Sequence, residues 1–189
     1  MAMSAAVRAF AAAGADVTGS LLLAHSAGAH LAALVHVGPL RSKVTVPRWL
    51  ASVLVDTAAL DVPQLMAWPH APLHDRAFGN DPAGWQACSP RHQIQQPGPP
   101  LLLASAQGRP GVLHQARAFA DAWRTAGGRA DLRPLPLAHD GMAAGLAEGG
   151  ALAVALEDFV ATLDPWTPTF VPPRVASTPA PHLTPHADP

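Results

Sequence analysis

Residues 21–31 read LLLAHSAGAHL and are the most informative stretch of this chain. An apolar stretch typical of a buried strand leads to Ser26, and a run of small residues typical of a helix follows it. Ala24 and Gly28 stand where a sharp strand-to-helix turn needs small side chains, because the flanking backbone passes very close. Such a turn lifts a serine hydroxyl above a parallel sheet, so Ser26 is the candidate nucleophile. An ordinary strand–loop–helix junction can carry the same pattern, and Ala24 replaces the first glycine of the usual G-x-S-x-G.

Apolar strands alternate with helices along the rest of the chain. The pattern predicts strands over 18–24, 49–55, 101–104 and 130–137, and helices over 3–14, 26–36, 112–126 and 143–163. Such alternation is typical of βα units with a mostly parallel sheet flanked by helices. The sequence therefore predicts one α/β domain over residues 1–163. Residues 61–100, rich in Pro, His and Trp, are expected to form an irregular, lid-like section over the pocket, although these side chains equally suit ordinary packing. The proline-rich residues 164–189 are expected to be a disordered tail.

Composition excludes several classes of function. The 189 residues carry a formal net charge of −1 and no basic patch, which argues against nucleic-acid binding. No apolar stretch approaches the roughly 20 residues that span a bilayer, and the N-terminus lacks the features of a signal peptide. A cytoplasmic location is the resulting expectation. The single cysteine, Cys88, excludes an intrachain disulfide and is expected to be a small core residue.

A histidine follows the last predicted strand. In open α/β sheets the working residues lie at the carboxyl ends of strands, where both Ser26 and His139 fall. A serine hydroxyl needs a positioned base, usually histidine, to become a nucleophile. The alternative is a loop histidine without a catalytic role, one of ten in the chain. No metal site is predicted, because two prolines interrupt any helix that would align His70 with His74.

The order of these motifs resembles a known family. The segments AHSAGAHLAAL, SPRHQ, PPLLLA, QARAFADAWRTAGG and LPLAHDG follow one another within about residues 4–163. In this order they resemble the α/β-hydrolase superfamily and, within it, the kynurenine formamidase (arylformamidase)-like carboxylesterases. The resemblance implies hydrolysis of a small ester or formamide through an acyl-enzyme, with no metal or organic cofactor. It also implies Ser26 as nucleophile, His139 as base, and the backbone N–H of Ala27 as half of an oxyanion hole.

One part of the family pattern is missing before the elbow. Members of the family carry roughly 80 or more residues there, with the first strands and a His-Gly-Gly-Gly-type loop that supplies the second oxyanion donor. Here 25 residues precede Ser26, and no HGG run occurs. We therefore predict a partial, N-terminally truncated α/β-hydrolase fold that lacks the N-terminal strands. Its open sheet edge would offer a second copy of the chain a surface for pairing.

The expected acid is the other missing part. The resemblance implies an aspartate in the turn after the PPLLLA strand, but residues 105–110 read SAQGRP. Asp56 directly follows the strand predicted to end at residue 55, and from this neighbouring strand end it could reach the same histidine. A surface or capping role fits Asp56 at least as well. Asp61 is the next candidate, although it is typical of a helix start, and Asp140 adjoins His139 too closely to turn back onto its ring.

Two functions remain open at this point. The first is a cofactor-free serine hydrolase that cleaves a small ester or formamide, which Ser26 and His139 favour. The second is a catalytically impaired remnant that at most binds a ligand or a partner chain. The missing oxyanion segment and the missing acid favour the second.

Overall fold

A four-stranded parallel sheet organises the chain. The computed structural model describes residues 19–37, 49–147 and 149–163. Within these ranges the strands lie side by side in sequence order, and every pairing is parallel. They are β1 (Leu21–His25), β2 (Ala51–Val55), β3 (Leu101–Ala106) and β4 (Ala130–Leu135). Because His25 pairs with Val55, and Val55 with Ala104, the carboxyl ends of the first three strands meet at one edge of the sheet.

Helices cover both faces of this sheet, and further short helices follow β2. In chain order they are α1 (Ala27–Val37), α2 (Val62–Ala67), α3 (Pro72–Phe78), α4 (Pro82–Ala87), α5 (Pro110–Thr125) and α6 (Ala151–Ala161). Short 3₁₀ turns occupy Pro90–Gln93, His139–Gly141 and Ala144–Leu146. The predicted fold class, α/β with a mostly parallel sheet flanked by helices, is confirmed.

The two faces of the central strands bury separate cores. Side chains alternate along a strand, so Leu54 and Leu103 pack with α1 and α5 on one face, whereas Val55 and Leu102 pack with α6 on the other. Every residue of β2 and β3 is buried, which explains why these strands read as continuous apolar runs. The large aromatic side chains of the helices complete the two cores: Phe119, Trp123 and Phe159.

Residues 61–100 are more regular than the sequence predicted. They contain α2, α3, α4 and the turn Pro90–Gln93, and each of these elements begins with proline in its first turn. The side chains of Asp61 and Asp81 accept hydrogen bonds from backbone N–H groups in the first turns of α2 and α4. Proline in a sequence predicts a break in a helix, whereas here these prolines stand in the first turn, where proline is favoured.

Other differences are local. The helix predicted over 143–163 begins at Ala151, after the turn Ala144–Leu146. Cys88 is exposed, not buried as predicted, because it follows the last residue of the outlying helix α4. The helix predicted over 3–14 and the tail predicted over 164–189 lie outside the described residues. None of the helices in the described ranges has the length and apolar character needed to cross a membrane.

Candidate active site

Ser26 occupies the turn between β1 and α1 with a strained backbone. Its φ is 56°, in the left-handed region that non-glycine residues rarely adopt. The turn is held because the Ser26 N–H donates to the Val55 carbonyl at 2.8 Å, while the Ser26 carbonyl accepts from the N–H of Ala29 at 3.0 Å. A Cβ atom on Gly28 would lie 3.9 Å from the Cβ of Ala24, which is an ordinary van der Waals contact, so these two small residues adjoin each other across the turn. The structure thus contains the sharp turn that these small residues predict.

The first N–H group of α1 is available to a ligand. Ala27 begins the helix directly after Ser26, and no described residue accepts a hydrogen bond from its N–H. The first N–H groups of a helix have no partner within the helix and carry its partial positive charge. Negative charge that develops on an oxygen near the Ser26 side chain would therefore meet a free donor.

Asp56 and His139 form a close pair at the same edge of the sheet. Asp56 directly follows β2, and His139 begins the turn after β4. The Nδ1 atom of His139 lies 2.6 Å from the Oδ2 atom of Asp56, although 83 residues separate the two in sequence. A carboxylate oxygen can only accept, so Nδ1 carries the proton and donates it, and Nε2 keeps a lone pair. A histidine in this tautomer can accept a proton through Nε2.

The Asp56 carboxylate is buried and ionised. Its side chain is fully shielded from solvent, and its backbone φ of 48° lies in the left-handed region, as that of Ser26 does. Burial alone would raise the pKa of Asp56. Hydrogen bonds from the Ala106 N–H at 2.9 Å, from His139 and from Arg109 outweigh that effect and hold the pKa below its usual value. The carboxylate is therefore a permanent acceptor at neutral pH.

Arg109 is the residue of the site that the sequence analysis missed. Its Nη1 atom lies 2.6 Å from Oδ2 of Asp56 and 3.4 Å from the Asp56 carbonyl oxygen. The same nitrogen lies 2.8 Å from Nδ1 of His139. Two donors, one from each residue, thus converge on one carboxylate oxygen. Arg109 belongs to the run SAQGRP, in which the family resemblance placed an acid.

A second histidine, His25, directly precedes Ser26 and contacts His139. The ring of His25, which precedes Ser26, packs against the ring of His139 with 4.7 Å between centroids. His30 lies further along α1, where it is buried and its Nδ1 lies 2.7 Å from the Ala59 carbonyl oxygen. This contact joins α1 to the segment that follows β2.

The alternative acids are engaged elsewhere or exposed. Asp61 caps α2 by accepting from the Gln64 N–H, and its Oδ2 lies 2.7 Å from the guanidinium of Arg91. Burial would raise the pKa of Asp61, but the hydrogen bonds from Gln64 and Arg91 lower it overall. Asp140 is exposed on the turn that begins with His139. Of the three candidate aspartates, only Asp56 has a hydrogen bond to His139 among the described residues.

No protein-family model matches this chain, and no curated protein matches it in sequence. The solved structure of esterase 2 from the Planctomycetes species Thermogutta terrifontis, with butyrate bound, is similar to it. The two are 25% identical with a TM-score of 0.59, over 87% of this chain and 66% of that one. The same esterase phosphonylated by sarin is 24% identical with a TM-score of 0.63, over 87% and 65% of the two chains.

A further similar structure is that of EstE5 soaked with p-nitrophenyl butyrate. It is 19% identical with a TM-score of 0.60, over 82% of this chain and 57% of that chain. The chain thus spans just under two thirds of the length of the Thermogutta esterase structures it matches, and less of EstE5. The fold is that of the α/β-hydrolases. Within this fold Ser26, Asp56 and His139 follow strands β1, β2 and β4 at the same edge of the sheet.

Proposed function

We propose that this chain is a serine hydrolase that cleaves small carboxylic esters. The hydrogen bond between Asp56 and His139 carries the proposal, because it orients a histidine beside the strained turn of Ser26. The esterases with the same fold support this class of reaction. The proposed machinery is Ser26 as nucleophile, His139 as base, Asp56 as the acid that orients the base, and the Ala27 N–H as an oxyanion donor.

In the proposed reaction the Ser26 hydroxyl oxygen attacks the ester carbonyl carbon. Its proton passes to Nε2 of His139, while Asp56 holds the proton on Nδ1 and stabilises the imidazolium that forms. The Ala27 N–H donates to the carbonyl oxygen as that oxygen becomes negative. His139 then protonates the departing alcohol, which leaves an acyl group on Ser26. Water, activated by the same histidine, releases the acid and restores the enzyme.

The same steps would cleave an arylformamide, the substrate that the sequence resemblance implies. Attack on a formyl carbon differs only in that His139 protonates an amine as it leaves. No step requires a metal or an organic cofactor. Formamide cleavage therefore belongs to the proposal as a second substrate class.

A catalytically impaired remnant is the competing function, and one contact favours it. Arg109 donates to the same Asp56 oxygen as His139 does, so its positive charge opposes the formation of an imidazolium. In this case the turn at Ser26 would survive as architecture alone, and the chain would bind a ligand or a partner without turning it over.

Turnover of p-nitrophenyl acetate and butyrate tests the proposal. We expect hydrolysis by the purified chain, labelling of Ser26 by a fluorophosphonate probe, and loss of both in Ser26→Ala. Ser20→Ala is the matched control, because Ser20 is an exposed serine just before β1, and we expect it to retain both signals. Turnover that persists in Ser26→Ala would overturn the assignment. No turnover and no labelling by a folded chain would favour the remnant.

A further inference from the structure

The guanidinium of Arg109 connects the Asp56–His139 pair to a cleft. Its Nη1 atom faces the pair, as described above, and Arg109 also lines a cleft of about 330 Å³. About a third of the Arg109 side chain is exposed. A molecule in the cleft would therefore contact the same side chain that contacts the proposed acid and base.

The lining of this cleft is apolar with one permanent positive charge. Its apolar side includes Leu65, Trp68 and Val112, and its polar side includes Arg109 and two histidines. No Asp or Glu is among the described residues that line it. Two carboxylates that contact lining residues are paired within the protein: Oδ2 of Asp56 lies 2.6 Å from Nη1 of Arg109, and Oδ1 of Asp75 lies 3.0 Å from Nε2 of His70.

Several donors of the cleft are unused. All side-chain hydrogen bonds from Arg109 to described residues come from Nη1, so its Nε and Nη2 atoms have no partner among the described residues. The Nδ1 atom of His74 is buried without a hydrogen-bond partner among the described residues. Burial, with the nearby charges of His70 and Arg109, lowers the pKa of His74, so its ring is neutral and can donate one hydrogen bond. These groups would suit a planar anion, because guanidinium matches a carboxylate with two parallel N–H donors.

We propose that the substrate of this site carries a carboxylate on a short apolar or aromatic body, with the carboxylate bound by the free nitrogens of Arg109 in the cleft. This inference rests on the proposed esterase function and adds the substrate class. The apolar wall around Trp68 would contact the apolar part of the substrate. His74 would donate a hydrogen bond to one oxygen of the carboxylate.

Matched pairs of esters test the preference for charge. One pair places the charge on the acyl side: the 4-nitrophenyl monoester of terephthalic acid and its methyl ester. The other places it on the alcohol side: 4-acetoxybenzoate and its methyl ester. In both acids the aromatic ring keeps the carboxylate away from the scissile ester. We expect kcat/KM to favour the charged member of at least one pair by roughly tenfold or more, as for hydrogen bonds to a charged group.

Variants assign that preference to Arg109. In Arg109→Gln we expect the preference for the charged ester to disappear, and in Arg109→Lys to persist in part. Arg117→Gln is the control, because Arg117 lies exposed on the same helix, α5, outside the cleft, and we expect it to retain the preference. A charged ester that is no better than its neutral partner in both pairs, or a preference that survives in Arg109→Gln, would overturn the proposal.

Binding of benzoate, measured by calorimetry on Ser26→Ala, separates the two proposals. We expect benzoate to bind at least roughly tenfold more tightly than benzamide, and the difference to disappear when Arg109→Gln is added. Such binding without Ser26-dependent turnover by the native chain would refute the esterase and leave the anion cleft in place. Turnover of neutral esters without any benzoate binding would refute the cleft proposal alone.

Discussion

Replacing Asp56 with asparagine tests the proposed acid most directly. Asp56→Asn keeps the size of the side chain but turns one acceptor oxygen into a donor amide. Asp61→Asn is the matched control, because both aspartates are buried and each has an arginine nitrogen within 2.7 Å. The two aspartates differ in that Asp56, and not Asp61, has a hydrogen bond with His139 in the described part of the chain.

The hydrogen bonds of Asp56 give the expected magnitude. If the asparagine oxygen keeps the bond from the Ala106 N–H, its NH₂ group faces two other donors, His139 Nδ1 and Arg109 Nη1. To accept from that NH₂ group, His139 must move its own proton to Nε2, and the nitrogen needed for Ser26 is then no longer a base. Loss of the correct tautomer costs about 10⁴-fold in kcat, or about 5 kcal/mol in activation free energy. The opposite orientation of the amide is disfavoured, because it would place the NH₂ group against the Ala106 N–H, and both groups are donors.

Asp61→Asn should cost far less. Asparagine is as good a helix cap as aspartate, and the lost ion pair joins Asp61 to Arg91, whose side chain is 39% exposed. We expect kcat to change by less than about threefold and the free energy of unfolding to fall by about 1 kcal/mol. Ester hydrolysis measures kcat, and urea unfolding measures the free energy of unfolding, for the native chain and both variants. Equal losses of kcat in two folded variants would refute Asp56 as the acid.

Two further predictions concern stability and do not depend on the proposed function. Ser26→Gly should be more stable to urea than Ser26→Ala by about 1 kcal/mol, because glycine adopts the φ of 56° without strain; equal stability would contradict a strained turn. Burial lowers the pKa of His30, despite its hydrogen bond to the Ala59 carbonyl. In the pH range just below the ordinary histidine pKa, the ring is therefore neutral in the folded chain and protonated in the unfolded chain. The free energy of unfolding should therefore fall as pH drops below about 6.5. His30→Gln should show a smaller fall between pH 7.5 and pH 5.5, and an unchanged slope would remove His30 as the cause.

The sequence predicted those parts of the site that depend on local geometry. The turn at Ser26 requires small neighbours within a few residues, so the run LLLAHSAGAHL carries its own signal. The positions of the strands along the chain followed from their apolar character, which is continuous in β2 and β3 because these strands are buried on both faces. The short helices α2, α3 and α4 were missed, because proline both breaks helices and begins them.

Contacts over long sequence distances could be predicted only by position. Asp56 was a candidate because it ends a strand, but nothing local distinguishes a buried carboxylate from a surface or capping one. Arg109 was not predicted, because the family pattern at its turn concerns an acid and gives no role to a cation. The sequence does contain a signal for this contact. Arg109 carries a permanent positive charge shortly after β3, and Asp56 directly follows β2, the strand paired with β3.

The position of the acid has a consequence for the proposed reaction. Strand β3 lies between β2 and β4, so the Asp56 carboxylate reaches His139 over the end of β3 and is anchored there by the Ala106 N–H. Arg109 occupies the turn at that end, and its charge opposes that of Asp56 next to the imidazole. Two unit charges about 4 Å apart interact by about 4 kcal/mol at the effective dielectric constant of a protein surface. In the proposed reaction Asp56 would therefore orient His139 but would stabilise the imidazolium much less than an unpaired carboxylate does.

A carboxylate bound to the free nitrogens of Arg109 would restore the balance. With the cation shared between two anions, the net charge beside His139 becomes negative again, and the imidazolium that forms as Ser26 attacks is stabilised. A charged ester should then have a higher kcat than its neutral partner, in addition to a lower KM, and Arg109→Gln should raise kcat on the neutral ester toward that of the charged one. Pre-steady-state measurement of acylation separates this effect from product release. A preference confined to KM would show that the cleft binds the carboxylate without changing the charge that His139 experiences.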